Sequence, residues 1–404
     1  MGIQTKFGHL PVEVIDEAVL DLDRLARLRR AIIAGGQAAG LFYDPSNIRY
    51  ATGTSNMQVY AGHNPCRYVF VPAEGPVILF DFSGCAHISA GRPAVDETRP
   101  AISWYHFVTG SRVAEKAAHW AAEIADLVTQ YGGGNRRLAV DRLDPLGTFE
   151  LQRHGIGVED GQAVMSVAKK IKGAEEIKAI RNAVILCEEG MRHMQLALRP
   201  GITEQALWSH LHQANIELGG EWIETRLLTS GPRTYPWYQE CGNRVIEAGD
   251  MVSFDTDLIG AHGYAADISR SWIAGDRPAS AAQNWLYDAA REALERNLEL
   301  FRPGMSFHEI AQQAWDLPAP YAETSLPALA HGIGLVNEYP LILSRRYWES
   351  DGYDDILRPG MVLCVESYAA DRQAQEGVKL EQQILVTEQG PELLSHFPLD
   401  LERR

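Results

Sequence analysis

Short apolar segments alternate with amphipathic helices in the N-terminal part of the chain. Residues 20–35 and 113–131 carry apolar side chains at the three- and four-residue spacing of helices that pack on one face. The second of these helices is predicted to end at Gly132, where a run of three glycines and an asparagine begins. The apolar runs predicted to be strands are 40–43, 68–71, 77–82 and 137–141. This alternation predicts an α/β fold for the N-terminal part.

The pattern changes near residue 168, where charged residues cluster ahead of a long predicted helix. We predict a linker that leads into this helix, which ends near Leu198 before a Pro-Gly pair. Strands and turns dominate from Glu221 onward, and the further helices are predicted over 203–219, 281–301 and 306–315. The sequence therefore predicts two domains, 1–167 and 168–404.

Composition and charge narrow the class of protein. The 404 residues are 46% hydrophobic and 22% charged, which excludes a disordered or coiled-coil chain. The net charge of −16 disfavours binding to nucleic acid or to an acidic lipid surface. The five cysteines are widely spaced, and no apolar run resembles a signal peptide or a membrane span. We therefore expect a cytoplasmic protein that acts on a small molecule and has neither nucleic acid nor membrane as a partner.

Residues 251–273 are predicted to form a β-hairpin that carries three aspartates. Asp255 and Asp257 lie on one face of the first arm, opposite the apolar face. If the hairpin is centred on His262, Asp257 faces Asp267 across the two strands. Buried carboxylates this close repel one another unless protons or cations lie between them. For the hairpin alone, the alternative is an edge strand whose acidic face is solvated.

Three more residues extend the acidic set. Glu366 ends an apolar strand, and Glu381 lies within another, where Lys379 is expected to point the same way. His331 lies in a glycine-rich turn, a setting in which a lone histidine is more often structural. Together with two aspartates, however, one histidine and two glutamates on short strands can bind two divalent ions through shared carboxylates. Oxygen-rich ligation with one imidazole favours Mn²⁺ or Fe²⁺ over Zn²⁺, and the ions would share a hydroxide of lowered pKa.

Asp257, Asp267, His331, Glu366 and Glu381 resemble the five metal ligands of the pita-bread metalloenzymes, which include methionine aminopeptidase, aminopeptidase P, prolidase and creatinase. The supporting runs are IKGAEEIKAIRNA at 171–183, HGIGL at 331–335 and LRPGMVLCVE at 357–366. The resemblance implies an overall α/β fold class, with a creatinase-like N-terminal α/β domain and a C-terminal pita-bread domain of pseudo-symmetric α+β structure.

The same resemblance implies cofactors and a partner. Two divalent metal ions are expected, Fe or Mn in the first place, with Zn or Co as alternatives. A homodimer is expected, in which Tyr60 and His63 of one copy reach the active site of the other.

Within the family, the chain most resembles the bacterial lyases that cleave dimethylsulfoniopropionate (DMSP). The likeness includes DPSNIRYAT at 44–52 and is strongest over GGEWIETRLLTSGPRTYPWYQECG at 219–242. In that branch the first aspartate of the Asp-Thr-Asp run also binds metal, usually iron. The resemblance therefore implies Asp255 as a sixth ligand.

Two departures from the family pattern concern catalysis. The DMSP lyases place an aspartate base a few residues after the metal-binding histidine, but this chain has Asn337 there, and an amide does not accept the substrate's α-proton. The tyrosine that those lyases carry before the histidine is replaced by Leu326 or a neighbour. The Xaa-Pro peptidases have a second histidine near the place of Asn337 and another near that of Trp237. The chain therefore matches the scaffold of the family better than it matches the catalytic residues of either the DMSP lyases or the Xaa-Pro peptidases.

Candidate substrate-binding residues lie in the block that resembles the lyases. Tyr235, Trp237 and Tyr264 would form an aromatic wall for a sulfonium or quaternary ammonium group, with ordinary core aromatics as the alternative. Arg226 and Arg233 would hold a substrate carboxylate. The alternative for these two arginines is ion pairing with Glu224 and Glu240.

The sequence predicts a two-metal enzyme that resembles DMSP lyase and cleaves a small zwitterionic carboxylate, with Glu366, His331 and Asn337 as the catalytic positions. The alternative is a C–N hydrolase of creatinase, ectoine hydrolase or Xaa-Pro dipeptidase type. Such a hydrolase needs no separate base, because a metal-bound hydroxide attacks and Glu366 shuttles the proton. A binding protein without catalysis is the least expected class, because all the ligand positions are intact.

Overall fold

The computed structural model describes residues 2–5, 8–319 and 321–401. Its contacts divide the chain into two compact units. Residues 15–169 form the first unit, and residues 1–14 together with 170–404 form the second. The sequence places the boundary at 167/168 and assigns the first 14 residues to the N-terminal domain.

Nineteen strands and twelve α-helices lie in the described residues. The strands are β1 (Ile3–Thr5), β2 (Gly8–Leu10), β3 (Ala39–Phe42), β4 (Tyr68–Pro72), β5 (Ile78–Asp81), β6 (Glu97–Pro100), β7 (Arg137–Val140), β8 (Gly157–Asp160), β9 (Trp222–Ile223), β10 (Leu228–Ser230), β11 (Met251–Phe254), β12 (Leu258–Ile259), β13 (Ala265–Ala266), β14 (Arg270–Ile273), β15 (Ala328–Ile333), β16 (Asn337–Leu343), β17 (Val362–Asp371), β18 (Glu376–Thr387) and β19 (Gly390–Leu393). The helices are α1 (Glu17–Gly35), α2 (Pro45–Thr52), α3 (Gln58–His63), α4 (His106–Thr109), α5 (Val113–Tyr131), α6 (Pro145–Arg153), α7 (Gly161–Lys169), α8 (Ala174–Ala197), α9 (Glu204–Glu217), α10 (Ala281–Leu298), α11 (Phe307–Gln313) and α12 (Arg345–Asp351).

The first unit is built on a six-stranded mixed sheet in the order β6-β5-β4-β3-β7-β8. Asp16 caps the N-terminus of helix α1, since its carboxylate accepts the N–H of Val19, and the helix ends just before Gly36, which has a positive φ of 73°. Helix α5 has the predicted bounds and buries Trp120 and Ile124 against the sheet. The helix and strand pattern predicted for this unit is confirmed.

The second unit contains a five-stranded antiparallel sheet in the order β16-β15-β17-β18-β19 and two three-stranded sheets, β10-β11-β14 and β13-β12-β9. Helices α10 and α11 bury apolar side chains against the five-stranded sheet, as Leu294 and Ile310 pack with Leu363 and Leu380. Helix α10 begins at a capping box in which Ser280 and Gln283 bond each other's backbone N–H.

The first residues of the chain pack within the second unit. Strands β1 and β2 pair antiparallel, and Glu13 exchanges two hydrogen bonds with the side chain of Asn182 on α8, at 2.8 and 2.9 Å. None of the helices in the described part of the chain is long and apolar enough to cross a membrane.

Candidate metal centre

The acidic hairpin is present, but it is interrupted in the middle. Strand β11 pairs with β14 from Met251↔Ile273 onward, and β12 pairs with β13 at Leu258↔Ala266. Both sets of partners lie symmetrically about His262, so the predicted centre of the hairpin is confirmed. Residues 255–257 and 267–269 form the interruption, with three residues on each arm.

The backbone leaves the regular sheet in this interruption, and a side chain replaces the lost strand pairing. Asp257 has a positive φ of 37°. The hydroxyl of Thr256 donates to the carbonyl of Ala266 at 3.2 Å and accepts the N–H of Ile268 at 2.8 Å. The aspartates on either side of Thr256 are thereby released from a flat strand and turned toward one another.

The three aspartates are buried. Asp255 is 7% exposed, Asp257 8% and Asp267 2%. The alternative of an edge strand with a solvated acidic face is therefore wrong. Buried carboxylates require protons or cations as partners, because desolvation disfavours an isolated charge.

The five-stranded sheet supplies the other acidic groups and the histidine. Glu366 on β17 lies directly opposite Glu381 on β18, and His331 on β15 lies opposite Cys364 on β17. The N–H of Glu381 bonds to the carbonyl of Ser269 at 3.2 Å, which ties β18 to the interrupted hairpin. The hydroxyl of Ser269 contacts Asp255 and Glu381, each at 2.7 Å.

The candidate ligand atoms fall into two groups that share one residue. Oxygens of Asp255, Asp257 and Asp267 lie within 4.8 Å of one another, and so do ligand atoms of Asp267, His331, Glu381 and Cys364. Asp267 thus belongs to both groups and would help to hold a cation in either of them.

The donor atoms also suit a cation. Oε1 of Glu381 is buried without a hydrogen-bond donor among the described residues, and Nε2 of His331 lies 3.3 Å from it. Nδ1 of His331 is 3.2 Å from the carbonyl of Gly332 and donates its N–H there, so Nε2 is the ring nitrogen that faces the carboxylates and can coordinate a cation once it loses its proton. This set of oxygens and one imidazole fits hard divalent ions.

Lys379 lies inside the cluster and is the main residue that sequence reasoning left without a role. Its Nζ is 2.9 Å from Glu381, 3.0 Å from Glu366 and 3.2 Å from Asp255. The side chain is 1% exposed. The signal was available, since Lys379 is two residues before Glu381 on the same strand and was expected to point the same way.

Burial and mutual repulsion shift the protonation of the carboxylates. Burial, with the charge of Glu381, raises the pKa of Asp255 to about 7, and burial with the charge of Asp255 raises the pKa of Asp267 well above its usual value. Burial alone would lower the pKa of His331, but its interaction with the carboxylate of Glu381, 3.3 Å from Nε2, raises it to about 9. The cluster thus retains protons that divalent ions would displace.

Asn337 lies at the start of β16, beside the cluster. Its side-chain N–H₂ is 3.4 Å from Oδ1 of Asp257, and the hydroxyl of Thr225 donates to Oδ2 of the same carboxylate at 2.6 Å. The structure therefore places this predicted catalytic position next to a candidate ligand. The group it offers there is an amide.

The predicted aromatic wall is present only in part. Trp237 packs on Tyr368 with ring centroids 5.6 Å apart, and Tyr235 and Leu326 join this cluster. The indole of Trp237 lies 6.0 Å from Nζ of Lys379, so this cluster borders the metal centre. Tyr264 is a correction to the prediction. It is fully buried, and its hydroxyl donates to Glu176 at 2.9 Å, so it does not face a substrate.

The two predicted carboxylate-binding arginines are engaged in ion pairs. Arg226 bonds Glu240 at 2.5 Å, and both side chains are about half exposed. Arg233 pairs with the buried Glu204 and donates to the carbonyl of Glu240. The alternative of ion pairing describes both arginines, although Arg233 pairs with Glu204 rather than Glu224.

Tyr60 and His63 lie in the first unit on α3. Tyr60 is partly exposed, and its hydroxyl is 3.5 Å from that of Tyr105. His63 contributes to a cavity of about 380 Å³ whose wall also includes Arg142.

Tyr238 is a second residue that sequence reasoning did not single out. It has a positive φ of 65°, a conformation that a bulky side chain adopts only under constraint. The side chain is 67% exposed, and partial desolvation together with the charge of Glu366 raises the pKa of its phenol. A phenol with a raised pKa is protonated at neutral pH and can donate a hydrogen bond.

The comparison with known proteins decides the family. Residues 178–388, more than half of the chain, match the model of metallopeptidase family M24. The chain belongs to this family. The candidate metal centre lies within the part that matches, and this M24 protein is an enzyme of lyase or hydrolase type.

Relatives agree with this assignment. The chain is 39% identical over 396 residues to dimethylsulfoniopropionate lyase DddP of Roseobacter denitrificans, covering 95% of this chain and 89% of the relative. It is 38% identical over 393 residues to the protein of the same name from Roseovarius nubinhibens, covering 95% and 88%. The predicted resemblance to the DMSP lyase branch is confirmed.

A solved structure confirms the fold. The Xaa-Pro dipeptidase from Bacillus anthracis superposes with a TM-score of 0.77 at 21% identity, covering 95% of this chain and 99% of that chain. The predicted pita-bread fold is thereby confirmed for this M24 enzyme.

Proposed function

We propose that this M24 enzyme uses two divalent metal ions to cleave a small zwitterionic carboxylate, as a relative of the DMSP lyases. One observation carries the proposal. Two groups of candidate ligands share Asp267, one with Asp255 and Asp257 and the other with His331, Cys364 and Glu381. Glu366 lies opposite Glu381 beside them, and the chain is 39% identical to a DMSP lyase.

The charge of the cluster supports two ions rather than one. Asp255, Asp257, Asp267, Glu366 and Glu381 carry five negative charges when ionised. Lys379 contributes one positive charge at 2.9 to 3.2 Å from three of them. The remaining charge of −4 equals the charge that two divalent ions would neutralise, and a buried site is stable only near neutrality.

The ions would supply a Lewis acid and a water of lowered pKa. The side chains around them have separate tasks. The hydrogen bond from Nδ1 of His331 to the carbonyl of Gly332 fixes the imidazole plane. Glu366 is proposed to carry a proton between the reacting atoms and solvent, because its carboxylate lies at the edge of the cluster and is partly exposed.

Elimination of DMSP requires a group that takes a proton from the carbon next to the carboxylate, so that dimethyl sulfide leaves and acrylate forms. Asn337 stands where that base is expected, and its amide does not accept the proton. This observation favours a second candidate, the hydrolysis of a C–N bond in a small amide or dipeptide, which needs no base at that position.

The identity of the ions and the assembly are further proposals. We propose Fe or Mn, because the donor set is oxygen-rich with one imidazole. We propose a homodimer in which Tyr60 and His63 of each copy reach the metal centre of the other. Metal analysis of the purified protein and its mass by light scattering test these two points.

The decisive experiment gives DMSP to protein loaded with iron or manganese and measures dimethyl sulfide in the headspace and acrylate in solution. Glu381→Ala is the control, because it removes a ligand candidate. Release of both products well above this control establishes elimination. No release from protein that holds two ions per chain refutes the lyase, and release of an amine or amino acid from a panel of small amides and dipeptides then establishes hydrolysis.

A further inference from the structure

Strands β15 and β17 run side by side over a short distance and then separate. They pair at Ala330↔Val365, His331↔Cys364 and Gly332↔Leu363. Beyond Ala330 the two strands diverge, and a cavity of about 260 Å³ opens between them. The Glu366 cavity, as we name it, is lined on the β17 side by Glu366, Ser367 and Tyr368.

The cavity therefore begins at a residue of the candidate metal centre. Glu366 bonds Lys379 at 3.0 Å and lies opposite Glu381. Pockets for drug-sized ligands are about 300–1,000 Å³, so this cavity suits a smaller molecule. Leu326 and Leu329 form an apolar wall, and Trp315 lies at the exposed edge.

The far side of the cavity is polar and has a net positive charge, since Arg345 and Arg346 outnumber the carboxylate of Asp316, which also lines the cavity. This side includes Ser344, Arg345 and Arg346, where β16 has ended and α12 begins. The hydroxyl of Ser344 is buried and has no hydrogen-bond partner among the described residues. A buried hydroxyl without a hydrogen-bond partner costs folding free energy, and a ligand in the cavity that bonds to Ser344 would remove this cost.

Each guanidinium group makes few contacts with the described protein, and Arg346 also lies 5.8 Å from the ring of Tyr347. Arg345 donates to the carbonyl of Ala314 at 3.3 Å and lies 3.6 Å from the exposed carboxylate of Asp316. Arg346 donates to the carbonyl of Ala322 at 3.2 Å. A guanidinium has five N–H donors in a planar fork, so these contacts leave donors for a carboxylate.

We propose that the Glu366 cavity binds the carboxylate end of the substrate, with Arg345 and Arg346 as cationic donors and the hydroxyl of Ser344 as a third donor. The opposite end of the molecule then lies beside Glu366. The inference rests on the proposed function for the nature of the substrate. It moves the carboxylate site away from Arg226 and Arg233, which pair with Glu240 and Glu204.

The test measures binding by calorimetry to the metal-loaded protein. The probe is 3-(trimethylammonio)propionate, a zwitterion without a sulfonium leaving group. Its methyl ester has the same cation and lacks the carboxylate. The test variant carries Arg345→Gln and Arg346→Gln together. The matched control is Arg291→Gln, since Arg291 is 47% exposed against 48% for Arg345 and also has one acidic partner, Glu295 at 2.7 Å.

The parent and the control variant are expected to bind the zwitterion more tightly than the ester. The double variant should lose at least about tenfold in affinity for the zwitterion, because hydrogen bonds to charged groups are worth about 1.5–3 kcal/mol each and 1.4 kcal/mol is tenfold. Its affinity for the ester and its metal content should not change. A second variant, Ser344→Ala, should lose less affinity for the zwitterion than the double variant does, and it should still bind the zwitterion more tightly than the ester.

Two results overturn the inference: a parent protein that does not bind the zwitterion, or a double variant that binds it as the parent does. The outcome is separable from that of the proposed function. If carboxylate binding depends on the arginines but the protein cleaves none of the tested compounds, the proposed reaction is refuted and the proposed carboxylate site stands. If the parent turns over substrate and the double variant has an unchanged KM, the proposed carboxylate site is refuted and the proposed reaction stands.

Discussion

The substitution Lys379→Met tests the electrostatic account of the metal centre. It removes the ammonium group and keeps an unbranched side chain of similar length. Lys379 is 1% exposed and lies within 2.9 to 3.2 Å of three carboxylates. Without divalent ions it is the main counter-charge of Asp255, Glu366 and Glu381, so the metal-free variant should be strongly destabilised.

The expected magnitude follows from the burial of these groups. Removing one partner of a buried ion pair costs about 3–5 kcal/mol, because the remaining charge is left uncompensated. With two divalent ions present only one of the five carboxylate charges is left without a counter-charge, and the loss should fall to the cost of one unsatisfied buried group, about 1–3 kcal/mol. For a unit of this size, about 3 kcal/mol corresponds to a decrease in Tm of roughly 6–12 °C.

The assay is thermal and urea unfolding of the parent and the variant, each with a chelator and each with excess Mn²⁺. Lys172→Met is the matched control, since Lys172 forms a buried ion pair with Glu338 at 2.8 Å and neither residue is a candidate ligand. The control variant should lose the same stability with and without metal. An equal loss of stability for Lys379→Met with and without metal would refute the reasoning, because the ions would then not neutralise the carboxylates that Lys379 contacts.

Three further predictions concern the same centre. Asn337→Asp should raise dimethyl sulfide release from DMSP while metal content stays constant, and an unchanged rate shows that the base lies elsewhere. For the metal-free protein, pKa values raised to about 7 for Asp255 and about 9 for His331 mean that stability is lost as the pH rises from about 4 to 7 and again from about 6.5 to 9. Urea midpoints measured across this pH range check that stability falls as the pH rises. The variant His331→Gln should lack the decrease between about pH 6.5 and 9, and stability that rises over either range contradicts the account. Burial raises the pKa of the Cys364 thiol, so iodoacetamide at pH 8 should label the partly exposed Cys85 and leave Cys364 intact by mass spectrometry, and labelling of Cys364 in folded protein would contradict its placement.

The site could be anticipated from the sequence to the extent that its geometry is local. The period-two pattern of 251–273 and the turn near His262 fix the register of the hairpin, and the structure shows that register. The order of Asp257, Asp267, His331, Glu366 and Glu381 predicted one cluster, and the structure brings these side chains together. That they bind metal stays a prediction.

The errors concern residues whose neighbours come from distant parts of the chain. Tyr264 looked equivalent to Tyr235 and Trp237, but its hydroxyl meets Glu176 on α8. The environment of Arg233 likewise depends on the buried Glu204 of α9, 29 residues earlier in the chain.

The sequence by itself determined the alternation of strands and helices, the hairpin register and the family of this protein, because each depends on side-chain periodicity and on short motifs. Only the tertiary structure decided that the three aspartates are buried, that Lys379 neutralises part of the cluster, and that a cavity opens where β15 leaves β17. The physical reason is that burial and charge compensation are properties of packed surfaces. They depend on which strands meet across gaps of a hundred residues, and the local pattern of a strand carries no record of what covers it.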